Sequence, residues 1–154
     1  MEDFENEEPQ ELKLVVTEEM RSYFYDMSKW ARFLSVVGFV ISAFLTLSSF
    51  GIGAAITANP AMLNQLGPLA SIGATGITIF YLLLALLFFY PSLLLLRFSA
   101  KGKQGVLFGD QENLNDAIAN VKSLFKFWGI LTLVLLVSYF LLILAVAVSS
   151  VGIK

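Results

Sequence analysis

The chain has 154 residues, of which 57% are apolar and 14% charged, with a formal net charge of −2. A soluble domain carries about 25% charged residues, whereas residues 33–96 hold no Asp, Glu, Lys, Arg or His at all, so the composition is that of a membrane protein. The absence of Cys and His excludes disulfides, thiolate catalysis and the commonest general base and metal ligand.

Charge is split along the chain: residues 1–19 hold eight acids and one Lys, and the remainder holds nine bases and four acids. Residues 1–17 read as an acidic, largely disordered tail. It ends in an apolar patch of Leu12, Leu14, Val15 and Val16, suited to the lipid interface or to docking on protein. Thr17 followed by Glu18 and Glu19 is a helix start, a side-chain acceptor and then negative charge at the positive end of the helix dipole. Over 18–32 the spacing predicts an amphipathic lead-in helix. Met20, Phe24, Met27, Ala31 and Leu34 repeat on one side, with Arg21, Tyr25, Lys29 and Arg32 opposite.

A bilayer core about 30 Å thick needs about 20 apolar residues per helix, and three runs qualify. The first covers 33–55, ending around Gly51 and Gly53; a loop over 56–71 contains the breakers Asn59, Pro60, Gly67 and Pro68; the second run covers 72–96 and closes at Arg97. The first run lies too far from the N-terminus, and is too long, to be a signal sequence. Residues 97–126 read as a flexible basic exit (Lys101, Gly102, Lys103, Gln104, Gly105), a turn at Gly109 and Asp110, and a helix to Lys126. Leu114, Ala117, Ile118, Val121, Leu124 and Phe125 give that helix an apolar face, which the lead-in helix, the membrane surface or another subunit must cover. The third run covers 127–148. The expected fold is all-α, a membrane bundle of three transmembrane helices with amphipathic extensions.

Eight bases flank the spans on one side, and Lys154 alone lies on the other. Bases stay on the cytoplasmic side, so the N-terminus and the 97–126 segment are expected inside, and the 56–71 loop and C-terminus outside.

Within the first run, Ser35, Gly38, Ser42, Thr46, Ser49 and Gly53 recur every three or four residues. Such a stripe lets helices approach closely, and is expected to pack on another span or on a second copy; lined up around an axis it would form a polar pore wall. Pro91 frees the Leu87 carbonyl, and a kink is expected there. Lys29, Arg32, Arg97, Lys101, Lys103, Lys122 and Lys126 are placed to meet lipid headgroups.

Three blocks, MSKWARFLSVVGF (27–39), FYPSLLLLRFS (89–99) and DQENLNDAIANVKSLFKFWGILT (110–132), resemble in this order a family of uncharacterised small membrane proteins of Bacteroidetes, a domain of unknown function. The resemblance spans most of residues 12–145. Its shared features fall here on Lys29 to Phe33, on Pro91 in the second span, and on Phe125 to Phe127. It implies a bacterial inner membrane and brings no activity or cofactor.

Proton relays and ion-coupled transport need ionisable groups inside a span, and none is present. The acids Asp110, Glu112 and Asp116 are explained by helix capping. The expectation is therefore a protein that is not an enzyme, without catalytic, cofactor-binding or metal residues, whose partners are the bilayer and either further copies or other membrane proteins. Neither nucleic acid nor a small-molecule substrate is indicated. Three functions fit: a structural or accessory subunit, a homo-oligomeric pore for small solutes or anions, and a module binding anionic lipid.

Overall fold

The structure, a computed structural model, describes residues 17–151. The tail over 1–16, with the expected docking patch, and residues 152–154 lie outside the described residues. Three long helices account for almost all of the rest: α1 (Glu18–Ala58), α2 (Gly73–Phe108) and α3 (Gln111–Val151), with 3-10 turns over Pro60–Ile72 between the first two. No strand occurs among the described residues. Each helix contains a stretch long and apolar enough to cross a membrane, so the all-α, three-span architecture holds.

The helices run to 41, 36 and 41 residues. At 1.5 Å per residue each is about 54–62 Å long, roughly twice the hydrocarbon core. Every helix therefore has a membrane part and a part that projects beyond it. Because the three alternate in direction, the projecting parts of α1, α2 and α3 gather at one end, with the eight bases from Arg21 to Lys126.

Both helix boundaries expected at glycines move. α1 continues through Gly51 and Gly53 and stops only where Pro60 lacks an N–H: Asn59 N–H donates to Ala55 O at 2.9 Å, and Asn59 Oδ1 accepts from Ala61 N–H at 3.2 Å. The 56–71 loop is correspondingly short of irregular chain. It winds as 3-10 turns interrupted at Gly67, where φ is +57°. At the other end the flexible exit expected at Lys101 to Gly105 is helical. α2 runs helically to Phe108, and only Gly109 and Asp110 separate it from α3. Gly109 takes the left-handed conformation (φ +65°) that closes α2. Asp110 Oδ1 accepts from the backbone N–H of Glu112 and Asn113 at 3.0 and 3.3 Å, capping α3. α2 also runs unbroken through Pro91, which is buried.

α2 is the central helix. α1 packs antiparallel along it, α3 packs antiparallel on another side, and α1 and α3 make no close backbone approach among the described residues. At the projecting end Ala31, Phe98 and Ala117, one from each helix, form a small core with Phe24, Leu95 and Val121 around it. The apolar face of 111–126 is thus covered by the helical extension of α2, a covering that the expected loop had hidden. Its rim stays open, with Ile118 and Phe125 exposed. The lead-in part of α1 keeps Phe24 and Ala31 of the expected face against the core, but its buried side is centred on Ser28, Ala31 and Ser35, which leaves Met20, Met27 and Leu34 exposed.

Candidate functional site

The small-residue stripe lies in the α1–α2 seam. Ser35 and Ser49 are fully buried, Ser42 is nearly so, and Gly38, Thr46 and Gly53 are half-buried. Apart from Ala31, the buried residues of α1 form a strict seven-residue series, Ser28, Ser35, Ser42, Ser49 and then Ile56, and a seven-residue repeat keeps one side of a helix against its partner. α2 answers with a second such series, Thr78, Ala85, Ser92 and Ser99. Ser42 Oγ donates to Ala85 O at 2.9 Å, and Thr78 Oγ1 reaches Ser49 O at 3.5 Å. The same antiparallel register sets Ser35 opposite Ser92 and Ser28 opposite Ser99. A Cβ on Gly38 would overlap Ser92 Oγ, and one on Gly53 would stand 2.6 Å from Thr78 Oγ1. Small residues on both sides let the two backbones approach where lipid offers no hydrophobic drive.

Most seam hydroxyls satisfy themselves within their own helix. Ser28, Ser35 and Ser49 donate to the carbonyls of Phe24, Arg32 and Thr46 at 2.7–2.8 Å, and Ser92 donates to Phe88 O at 2.7 Å. They are covered by α2 or α1 and face no axis, so the stripe does not line a channel in this fold.

At the projecting end the glycines of the expected flexible exit are close-approach positions. A Cβ on Gly102 would stand 2.8 Å from Ser28 Oγ and 3.7 Å from Ala117 Cβ, so this residue meets both neighbouring helices. A Cβ on Gly105 would stand 2.8 Å from the backbone N of Leu114, where α3 turns back against α2. Gly102, Gly105, Ser28, Ser92 and Ser99 were not singled out by sequence reasoning as packing positions. The signal was there: the series 28, 35, 42, 49 and 78, 85, 92, 99 are legible as sevens.

The seven candidate headgroup contacts divide into two groups. Lys29 pairs with Asp26 at 3.4 Å and lies 4.2 Å from the Tyr25 ring centre, and Lys101 on α2 pairs with Asp116 on α3 at 3.3 Å. Arg32, Arg97, Lys103, Lys122 and Lys126 have no carboxylate within 4.0 Å among the described residues. Lys103 lies 6.0 Å from the Tyr25 ring centre.

The membrane part of α3 stands apart from the seam. α2 and α3 stay in contact through Tyr90 and Phe127, whose ring centres are 5.1 Å apart, and then diverge; every residue over 132–148 is exposed. Thr132 and Tyr139, seven residues apart, share one side of this stretch, the first in the second turn of the 127–148 run and the second near its middle. Neither hydroxyl has a hydrogen-bond partner among the described residues. No protein-family model, curated protein or solved structure matches the chain.

Proposed function

We propose that this protein is a non-enzymatic accessory subunit of a bacterial cytoplasmic membrane, which packs onto another integral membrane protein through the membrane part of α3. The observation that carries this reading is the pair of hydroxyls of Thr132 and Tyr139, which have no hydrogen-bond partner among the described residues and lie within the apolar stretch of α3 on a side that no other described helix covers. A hydroxyl in hydrocarbon without a hydrogen bond is costly, and hydroxyls on membrane helices find partners across helix interfaces. A neighbouring membrane protein supplies such partners, whereas acyl chains do not.

The eight bases gathered at one end, against an uncharged Pro60–Ile72 turn at the other, support an N-terminus inside and a C-terminus outside. The family resemblance supports a bacterial inner membrane. The pore reading loses its lining, because the Ser and Thr stripe is spent on the α1–α2 seam.

The test is extraction from native membranes in mild detergent, followed by light scattering of the eluted complex and peptide identification. The expected result is one other protein at fixed stoichiometry, lost in the Thr132→Ala/Tyr139→Phe double variant. Elution of the chain alone, or only with further copies of itself, overturns the proposal.

A further inference from the structure

Two clefts lie between α2 and α3, one above the other. The upper one, about 450 Å³, is lined by Arg97, Lys101, Asp116, Asn120 and Ser123 with two alanines. The lower one, about 740 Å³, is lined by Leu83, Leu86, Leu87, Tyr90, Phe127 and Ile130, with Ser123 and Lys126 at its top. Ser123 belongs to both, so the two form one groove. It is polar and basic where the charge-free stretch of the chain ends at Arg97, and apolar from there into the membrane.

The cause is the geometry of α3. Lys101 with Asp116 and Tyr90 with Phe127 hold α3 against α2. Beside the second contact a cleft opens between Leu83, Leu86 and Leu87 of α2 and Phe127 and Ile130 of α3, a wedge between two apolar surfaces. An apolar wedge open to the bilayer fills with an acyl chain, since water finds no partners there.

The upper part selects the headgroup. Asp116 is neutralised by Lys101 at 3.3 Å, whereas Arg97 and Lys126, one from each wall, have no carboxylate within 4.0 Å among the described residues. The groove therefore carries two uncompensated positive charges, together with the Asn120 amide and the Ser123 hydroxyl. Ser123 Oγ donates to Ala119 O at 2.9 Å, which leaves its lone pairs free, and the Asn120 amide donates to Asp116 O at 2.8 Å. Two guanidinium or ammonium groups on opposite walls at headgroup depth suit a phosphodiester that carries no cation of its own.

We infer that the α2–α3 groove binds one anionic phospholipid of the leaflet at the charged end, its phosphate between Arg97 and Lys126 and one acyl chain against Leu83, Leu86, Leu87, Phe127 and Ile130. This is narrower than a general attraction of juxtamembrane bases for acidic lipid. It singles out two of the seven bases, and it does not rest on the protein partner proposed above.

The experiment is native mass spectrometry of the purified full chain in detergent, offered equal amounts of phosphatidylglycerol and phosphatidylcholine. The wild-type protein is expected to retain one phosphatidylglycerol in preference to phosphatidylcholine. The Arg97→Gln/Lys126→Gln variant is expected to lose that preference by about thirtyfold, two bases near a lipid surface contributing about fivefold each. Lys103→Gln/Lys122→Gln, which removes the same charge outside the groove, keeps the preference. Leu86→Trp, which fills the apolar part, lowers retention of both lipids while circular dichroism shows the helix content unchanged. Millimolar inorganic phosphate leaves the lipid in place. Equal retention of the two lipids by the wild type, equal effects of the two charge variants, or displacement by inorganic phosphate each overturn the inference.

Discussion

Ser42 Oγ on α1 donates to the Ala85 carbonyl oxygen on α2 at 2.9 Å, a buried hydrogen bond between residues 43 apart in sequence. It fixes the register of a seam in which both helices present a small residue every seventh position. Two consequences differ in size. Ser42→Ala removes one interhelical bond and is expected to cost about 0.6 kcal/mol. Ser35→Leu places a large side chain where no space exists, and is expected to cost about 1–3 kcal/mol by overpacking. Val36→Leu, on the exposed side of the same turn, changes stability by less than about 0.5 kcal/mol. Reversible unfolding in mixed micelles ranks the three.

The glycines of α2 and α3 separate crowding from helix propensity. Gly→Ala in a helix gains up to about 1 kcal/mol where there is room. At Gly129 nothing lies within 4 Å of the added Cβ, so Gly129→Ala is expected to be neutral or mildly stabilising. At Gly105 the added Cβ meets the Leu114 backbone at 2.8 Å, and backbone cannot swing aside as a side chain can. Gly105→Ala is expected to destabilise by about 1–3 kcal/mol, and to increase amide exchange at the start of α3.

The α2–α3 turn has only two residues, so its chemistry is concentrated. Asp110 caps α3 through two backbone N–H groups, and its second oxygen accepts from Asn113 Nδ2 at 2.6 Å. Asp110→Ala is expected to cost about 1 kcal/mol, and Asp110→Asn or Asp110→Ser a few tenths. The same unfolding assay checks the order.

Lys101 and Asp116 tie α2 to α3 in a partly exposed ion pair. Pairs of this exposure contribute about 0–1 kcal/mol. A double-mutant cycle with Lys101→Ala and Asp116→Ala is expected to return a coupling below about 1 kcal/mol, and to shrink further in high salt.

What the sequence made legible follows from which forces act locally. The uncharged stretch over 33–96 and the runs that follow dictate three spans, because burying a charge in hydrocarbon is prohibitive whatever the tertiary fold. The cap at Thr17 and the stop at Asn59-Pro60 are equally local. The glycines misled: Gly51, Gly53, Gly102 and Gly105 resemble breakers in a single helix, but at Gly53, Gly102 and Gly105 the missing Cβ serves neighbours that sequence order does not reveal. Reading 97–109 as a loop then hid the surface that covers 111–126. The angle between α2 and α3, on which both the lipid groove and the exposed stretch of α3 over 132–148 depend, arises from how two helices lean on each other. No residue pattern within either helix encodes it.

If α3 packs on another protein inside the membrane, its exposed side lies within crosslinking distance of that protein. A photo-crosslinking amino acid at Leu136, on the Thr132 and Tyr139 side of α3, activated in native membranes, tests it most directly, with Phe44 on the exposed side of α1 as the reference position. A single adduct between Leu136 and one other membrane protein is expected, and only lipid adducts at Phe44. Lipid adducts alone at both positions, or an adduct at Leu136 with a second copy of this chain, would contradict it.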